Sequence, residues 1–279
     1  MLNFSVMKSK LVILLAILMI FSLVSCNETG NSPDLKIIYL HHSTGGVIWG
    51  GDAKSLFSKN NLTHLFKDYN KQNQVNFVIK ETVFPKASPY GWNNYPYDYY
   101  NIWVKNAGNK PFMEEPTLEI LSKEYQVIIF KHCFPVSNIQ ADTEPADINS
   151  DLKTISNFKL QYQSIRDKLH EFPEIKFILF TGAVQVKSNI SEDEAKRAKK
   201  FFEWVIKEWD LPNDNIYIWD LYSLQTEGDL YFRDDYARSS NDSHPNAVFA
   251  GKAVKLLFNR IIDVIENNGK NTLLSGEKK

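Results

Sequence analysis

With 279 residues, 43% of them apolar, and a formal charge of −1, the chain has material for one substantial core and no basic excess for gripping nucleic acid. Its two cysteines, Cys26 and Cys133, are too few for a disulfide framework, so the fold must be held by packing.

The first element is an export signal. Lys8 and Lys10 precede an apolar run from Leu11 to Val24, and Leu23-Val24-Ser25-Cys26 follows. The run is short for a membrane span, which takes roughly 20 apolar residues. Leu-Val-Ser-Cys resembles the lipobox of bacterial lipoproteins, which implies cleavage after Ser25 and a lipid on Cys26. The expectations are a signal peptide over 1–25, attachment to the cell envelope through the Cys26 lipid, and a polar tether over 26–34.

Next come five short apolar runs: Leu35–Leu40, Val75–Val83, Gln126–Phe130, Ile175–Phe180 and Asn215–Trp219. Each is mostly apolar on both faces, the pattern of buried parallel strands. Helical stripes alternate with them. One runs through Leu152, Ile155, Tyr162, Ile165 and Leu169, and a second through Ala198, Phe202, Val205 and Trp209. Ser191 and Glu194 form a capping box for the second. The last stripe holds Ala250, Val254, Leu257, Ile261 and Val264. The alternation predicts a three-layer α/β/α domain over 35–267 with a five-stranded parallel sheet. Residues 268–279 read as a flexible polar tail.

In such folds ligands bind at the carboxyl ends of the strands. After the first run stands His41-His42-Ser43-Thr44-Gly45-Gly46. A serine there is an exposed nucleophile or the cap of the next segment, and the glycines allow close approach of a backbone or substrate. A phosphate cradle is disfavoured, because the Walker Gly-Lys-Ser/Thr and the G-x-G-x-x-G spacing are absent. Before the last stripe stands Asn241-Asp242-Ser243-His244-Pro245-Asn246. A serine needs a base, and the base needs a partner that fixes its tautomer; His244 with a neighbouring carboxylate supplies both. His41, His42, His132 and His244 show no tight metal-ligand spacing, so neither a metal nor any other cofactor is expected.

From these residues the chain resembles the SGNH (GDSL-like) hydrolases, whose serine follows the first strand and whose Asp and His precede the last helix. The resemblance implies a flavodoxin-like fold and a serine esterase. Ser43 would be the nucleophile and His244 the base, with Asp242 orienting it. The oxyanion hole would be the Ser43 backbone, Gly91 in Pro89-Tyr90-Gly91-Trp92, and Asn138 in Lys131-His132-Cys133-Phe134-Pro135-Val136-Ser137-Asn138. The implied substrates are small-molecule or carbohydrate esters, O-acetyl groups among them. The sequence departs from the family in three places. His-His-Ser replaces Gly-Asp-Ser, Gly-x-Asn is absent from the third block, and the family's acid position holds Asn241. Asp242 is favoured over Asn241 because only a carboxylate stabilises imidazolium by charge.

Two further readings stay open. An acyltransferase would use the same triad with a sugar hydroxyl as acceptor. A glycan-binding lipoprotein without catalysis would use the aromatic stretch from Tyr90 to Trp103. Seven aromatics lie in that stretch, and most are expected to pack into a lid over the sheet, because large rings are usually buried for their area. Cys133 is expected to be a buried thiol.

Overall fold

Each apolar run becomes a strand, because β-branched and aromatic side chains pack well on a pleated surface and the flanking polar residues end the pairing. The computed structural model describes residues 35–52, 60–86 and 88–279; the signal segment, Cys26 and the tether lie outside the described residues. The strands are β1 (Leu35–His41), β2 (Phe77–Val83), β3 (Val127–Phe130), β4 (Lys176–Phe180) and β5 (Ile216–Trp219). All pairings are parallel, in the order β2-β1-β3-β4-β5. The protein is therefore an α/β fold with the flavodoxin-like strand order.

The helices are α1 (Thr44–Gly50), α2 (Leu62–Asn73), α3 (Pro96–Tyr99), α4 (Leu118–Leu121), α5 (Ile155–His170), α6 (Glu192–Trp204), α7 (Leu221–Thr226) and α8 (Ala247–Asn267). Alternation along the strands sends them to both faces. Tyr39 stacks on Trp49 of α1, and α1 and α2 pack against α8. Phe130 faces the other way, against Tyr99 and Trp103, on the side where α5 and α6 meet through Phe158, Tyr162 and Phe201. None of the described helices is long and apolar enough to cross a membrane.

Four features depart from the sequence reading. β2 is an edge strand with no buried residue, so its Lys80-Glu81-Thr82 half is not the two-sided apolar strand expected. The aromatic stretch is helical: α3 runs into a π-helical turn over Tyr100–Lys105, which buries Tyr95, Tyr99, Tyr100 and Trp103 and leaves Tyr90, Trp92 and Tyr97 partly exposed. Residues before the last helix form a small antiparallel hairpin, β6 (Ala237–Ser239) and β7 (Asp242–Pro245). The expected flexible tail over 268–279 instead folds back on the domain. There the Trp219 indole donates to the Ser275 carbonyl at 2.9 Å, and Thr272 is buried.

Candidate active site

β1 lies between β2 and β3, so the chain leaves its carboxyl end at the point where successive connections diverge to opposite sides of the sheet. A crevice opens at such a point. Ser43 sits there, one residue before α1, with φ 45° and ψ −106°. That positive φ is strained for a residue with a Cβ, and such strain is kept only where the surroundings over-determine it. The Ser43 side chain makes no capping bond to α1, so the hydroxyl is free for another partner.

The partner is His244. Ser43 Oγ is hydrogen-bonded to His244 Nε2, 201 residues away in the chain. On the other side of the ring, His244 Nδ1 lies 2.6 Å from Asp242 Oδ1. A carboxylate only accepts, so Nδ1 carries the proton and Nε2 presents its lone pair to the serine hydroxyl. The same Asp242 oxygen accepts the His244 backbone N–H at 3.0 Å. These two bonds, backbone first and imidazole second, hold the Asp242 carboxyl below its ordinary range, and Arg238 adds to the effect. Asn241 does not reach the ring; its side-chain oxygen accepts from the Ser239 hydroxyl at 2.6 Å.

The hairpin β6–β7 holds this geometry, and the sequence pattern showed no sign of it. Ser243 points away from the site and accepts from the Val186 N–H and the Asn189 amide, both at 3.1 Å, which ties the hairpin to the loop after β4. Asn246 caps α8 by accepting from the Phe249 N–H at 2.9 Å and donates to the Asp235 carbonyl at 2.7 Å. The Phe134 ring meets the His244 imidazole edge-on, with centroids 5.6 Å apart. Phe134 limits where the imidazole can turn, a role its sequence neighbours did not disclose.

The remaining sequence-chosen residues fall elsewhere. Gly45 accommodates the protein itself rather than a ligand: a Cβ there would come within 2.4 Å of His41 Cβ and 2.9 Å of Lys131 Cδ. His41 is held by Glu81 at 2.8 Å, and burial, with Lys131 beside it, pushes its pKa down to about 4. At neutral pH it is therefore a neutral donor to Glu81 rather than half of an ion pair. His42 bonds the Pro85 carbonyl. His132 is fully buried, edge-on to Tyr99, and burial holds its pKa well below the ordinary value. The four histidines thus diverge, and among the described residues no three His, Cys, Asp or Glu side chains are grouped to hold a metal. Cys133 is a buried free thiol that accepts from the buried Lys131 ammonium at 3.3 Å.

The two glycine and asparagine positions chosen for the oxyanion are not brought to the triad by any bond. Asn138 bonds Gln185 through its side-chain oxygen and also contacts Glu194. Gly91 is exposed with φ 67°. A cleft of about 810 Å³ beside Ser43 is lined by α1, the hairpin and the start of α8, and neither residue lines it.

No protein-family model matches the chain, and no curated protein sequence matches it. Its shape does have neighbours among solved structures. Two of them are enzymes, one a carbohydrate esterase. The first is a gut microbial diltiazem-metabolizing enzyme, at TM-score 0.43 and 11% identity over 77% of this chain and 44% of that one. The carbohydrate esterase aligns at TM-score 0.39 and 12% identity, over 82% of this chain and 65% of that one. The chain thus spans less than two thirds of the length of either. Likeness of this order carries no weight for activity, which rests on the geometry around Ser43.

Proposed function

We propose that the protein is a serine esterase of the SGNH type. The observation that carries this reading is the hydrogen-bonded chain Ser43–His244–Asp242, assembled at a strand-to-helix turn from residues 201 positions apart. A hydroxyl is a weak nucleophile until a base takes its proton, and the base works only in the tautomer that Asp242 fixes. Ser43 Oγ attacks the ester carbonyl while its proton passes to His244 Nε2. The tetrahedral intermediate collapses as the imidazolium returns that proton to the departing alcohol, leaving an acyl-serine. A water then gives its proton to His244 and its oxygen to the acyl carbon; the second tetrahedral intermediate breaks its bond to Ser43 Oγ, the imidazolium returns the proton to that oxygen, and the carboxylic acid leaves. On the family resemblance, the Ser43 backbone N–H is a proposed donor to the oxyanion. Gly91 and Asn138 remain proposed contributors on the family resemblance alone. Carbohydrate or small-molecule esters, O-acetyl groups among them, are the proposed substrates.

The test is hydrolysis of an aryl acetate. Ser43→Ala and His244→Ala should each lower kcat by several orders of magnitude, and the double variant by little more, because members of a triad act as a unit. Near-normal turnover by Ser43→Ala would sink the assignment. Wild-type protein that binds glycans and cleaves no ester would favour the non-catalytic alternative, for which Tyr90, Trp92 and Tyr97 are the partly exposed aromatics of the stretch.

We also propose that Cys26 is lipidated and anchors the domain to the cell envelope, on the Leu23-Val24-Ser25-Cys26 pattern. Mass spectrometry of the mature N-terminus should find a lipid on Cys26, and Cys26→Ser should leave the precursor uncleaved and unlipidated. A wild-type N-terminus that begins elsewhere without lipid would refute it.

A further inference from the structure

The cleft beside Ser43 has an uneven charge distribution. Its walls are mostly small or apolar: Gly46, Val47, Gly50 and Gly51 on one side, Pro245 and Ala247 on the other. The single charged residue among the described ones lining it is Arg238, on β6. No hydrogen bond of the Arg238 guanidinium to any described residue is seen; its one ionic contact is with Asp242 Oδ2, at 4.0 Å. That distance is the outer limit of pairing, and the other oxygen of Asp242 is already committed to His244. The Arg238 side chain is 50% exposed, so it stands at the cleft wall with most of its five N–H donors open to a ligand.

We propose that Arg238 reads an anionic group on the substrate, so that the enzyme prefers esters whose alcohol part carries a carboxylate, sulfate or phosphate, such as an O-acetylated acidic sugar. This rests on the serine esterase reading above. The planar guanidinium fork matches a carboxylate or phosphate in two parallel hydrogen bonds, which a neutral sugar hydroxyl cannot reproduce. Among the described residues lining the cleft there is no acid, and the one carboxylate near the fork, that of Asp242, stands 4.0 Å away, so an approaching anion meets a weakly paired cation in the cleft that Ser43 also lines. An anion bound there sits on the same hairpin as the base, and the ester group attached to it is held near Ser43 Oγ. The effect belongs to binding and orientation; the chemistry stays with the triad.

The experiment measures acetate release from three matched compounds: O-acetyl glucose, O-acetyl glucuronic acid and O-acetyl glucose 6-phosphate. The quantity read is the ratio of kcat/KM for each charged ester to that for the neutral one. The ratio cancels any effect that Arg238 exerts on both substrates through Asp242. The wild type should favour at least one charged ester by about tenfold or more, the size of one good charge-assisted contact. In Arg238→Ala the ratio should fall to near one, mainly through KM, and Arg238→Lys should keep part of it as a point charge without the fork. Comparing the two charged esters tells a carboxylate from a phosphate as the group recognised. A wild type that cleaves O-acetyl glucose with no preference for either charged ester overturns the inference and leaves the esterase standing. So does a preference that survives Arg238→Ala. Loss of all acetate release, from aryl acetate as well, overturns the esterase reading and the inference with it.

Discussion

Asp242 and Asn241 are neighbours in sequence, and they are bound to different partners. Asp242 Oδ1 lies 2.6 Å from the imidazole, and Asn241 is turned to Ser239. Replacing Asp242 by Asn keeps the shape and removes the charge that stabilises imidazolium, so kcat on an aryl acetate should fall by about 10²–10⁴. Asn241→Ala should be mild. Folding is not the confounder it would be at a helix cap, since the cap of α8 is Asn246. Steep loss in Asn241→Ala with normal Asp242→Asn turnover would reverse the assignment. Ser43 and His244 were legible as candidates in the sequence because both stand close to strand or helix ends. Charge alone favoured Asp242 over Asn241, but which of the two faces the ring depends on the register of the hairpin, because residues one apart point in different directions.

The stretch from Tyr90 to Trp103 packs most of its aromatics inward, as its composition led one to expect, but does so in helical form. Its aromatics suggested a lid, yet Asp98 at the start of α3 accepts the Asn93 N–H at 3.0 Å and the Tyr95 N–H at 3.4 Å, which supplies a helix start. Asp98 is buried, and desolvation raises its pKa from 3.8 to about 7 despite those bonds. Between about pH 4 and 7 the folded state therefore holds a proton that the unfolded chain releases, so stability falls as pH rises through that window. The side-chain amide of an Asp98→Asn variant would keep an acceptor for the backbone and cannot ionise. Urea unfolding should therefore show the variant gaining on the wild type between pH 4 and pH 8, by on the order of a few kcal/mol. Equal pH dependence of the two proteins would mean that Asp98 titrates normally.

At the scale of the whole molecule, the polar C-terminal segment belongs to the fold. Burial alone would raise the Asp263 carboxyl, but hydrogen bonds from Thr272 and Asn271, helped by Arg260, reverse this and hold it low. Asp263 accepts from the Asn271 and Thr272 N–H groups at 3.0 and 2.8 Å and from the Thr272 hydroxyl at 2.6 Å. Removing 270–279 would take these donors away and open the carboxylate to water, with Arg260 3.8 Å away as its remaining ion-pair partner. The loss should be about 1–3 kcal/mol, the scale of hydrogen bonds to a charged group that water replaces in part. Thermal unfolding of the truncated protein checks this; an unchanged Tm would show the tail to be dispensable. The sequence by itself determined the α/β class and the five strands, since hydrophobic runs and helical stripes are local patterns of side chains. It also singled out Ser43 and His244. Tertiary structure decided the strand order, the hairpin that carries Asp242 and His244, the docking of the tail, and the exposure of Arg238 beside Ser43. Each of these depends on contacts between segments far apart in the chain, whose geometry no local periodicity encodes.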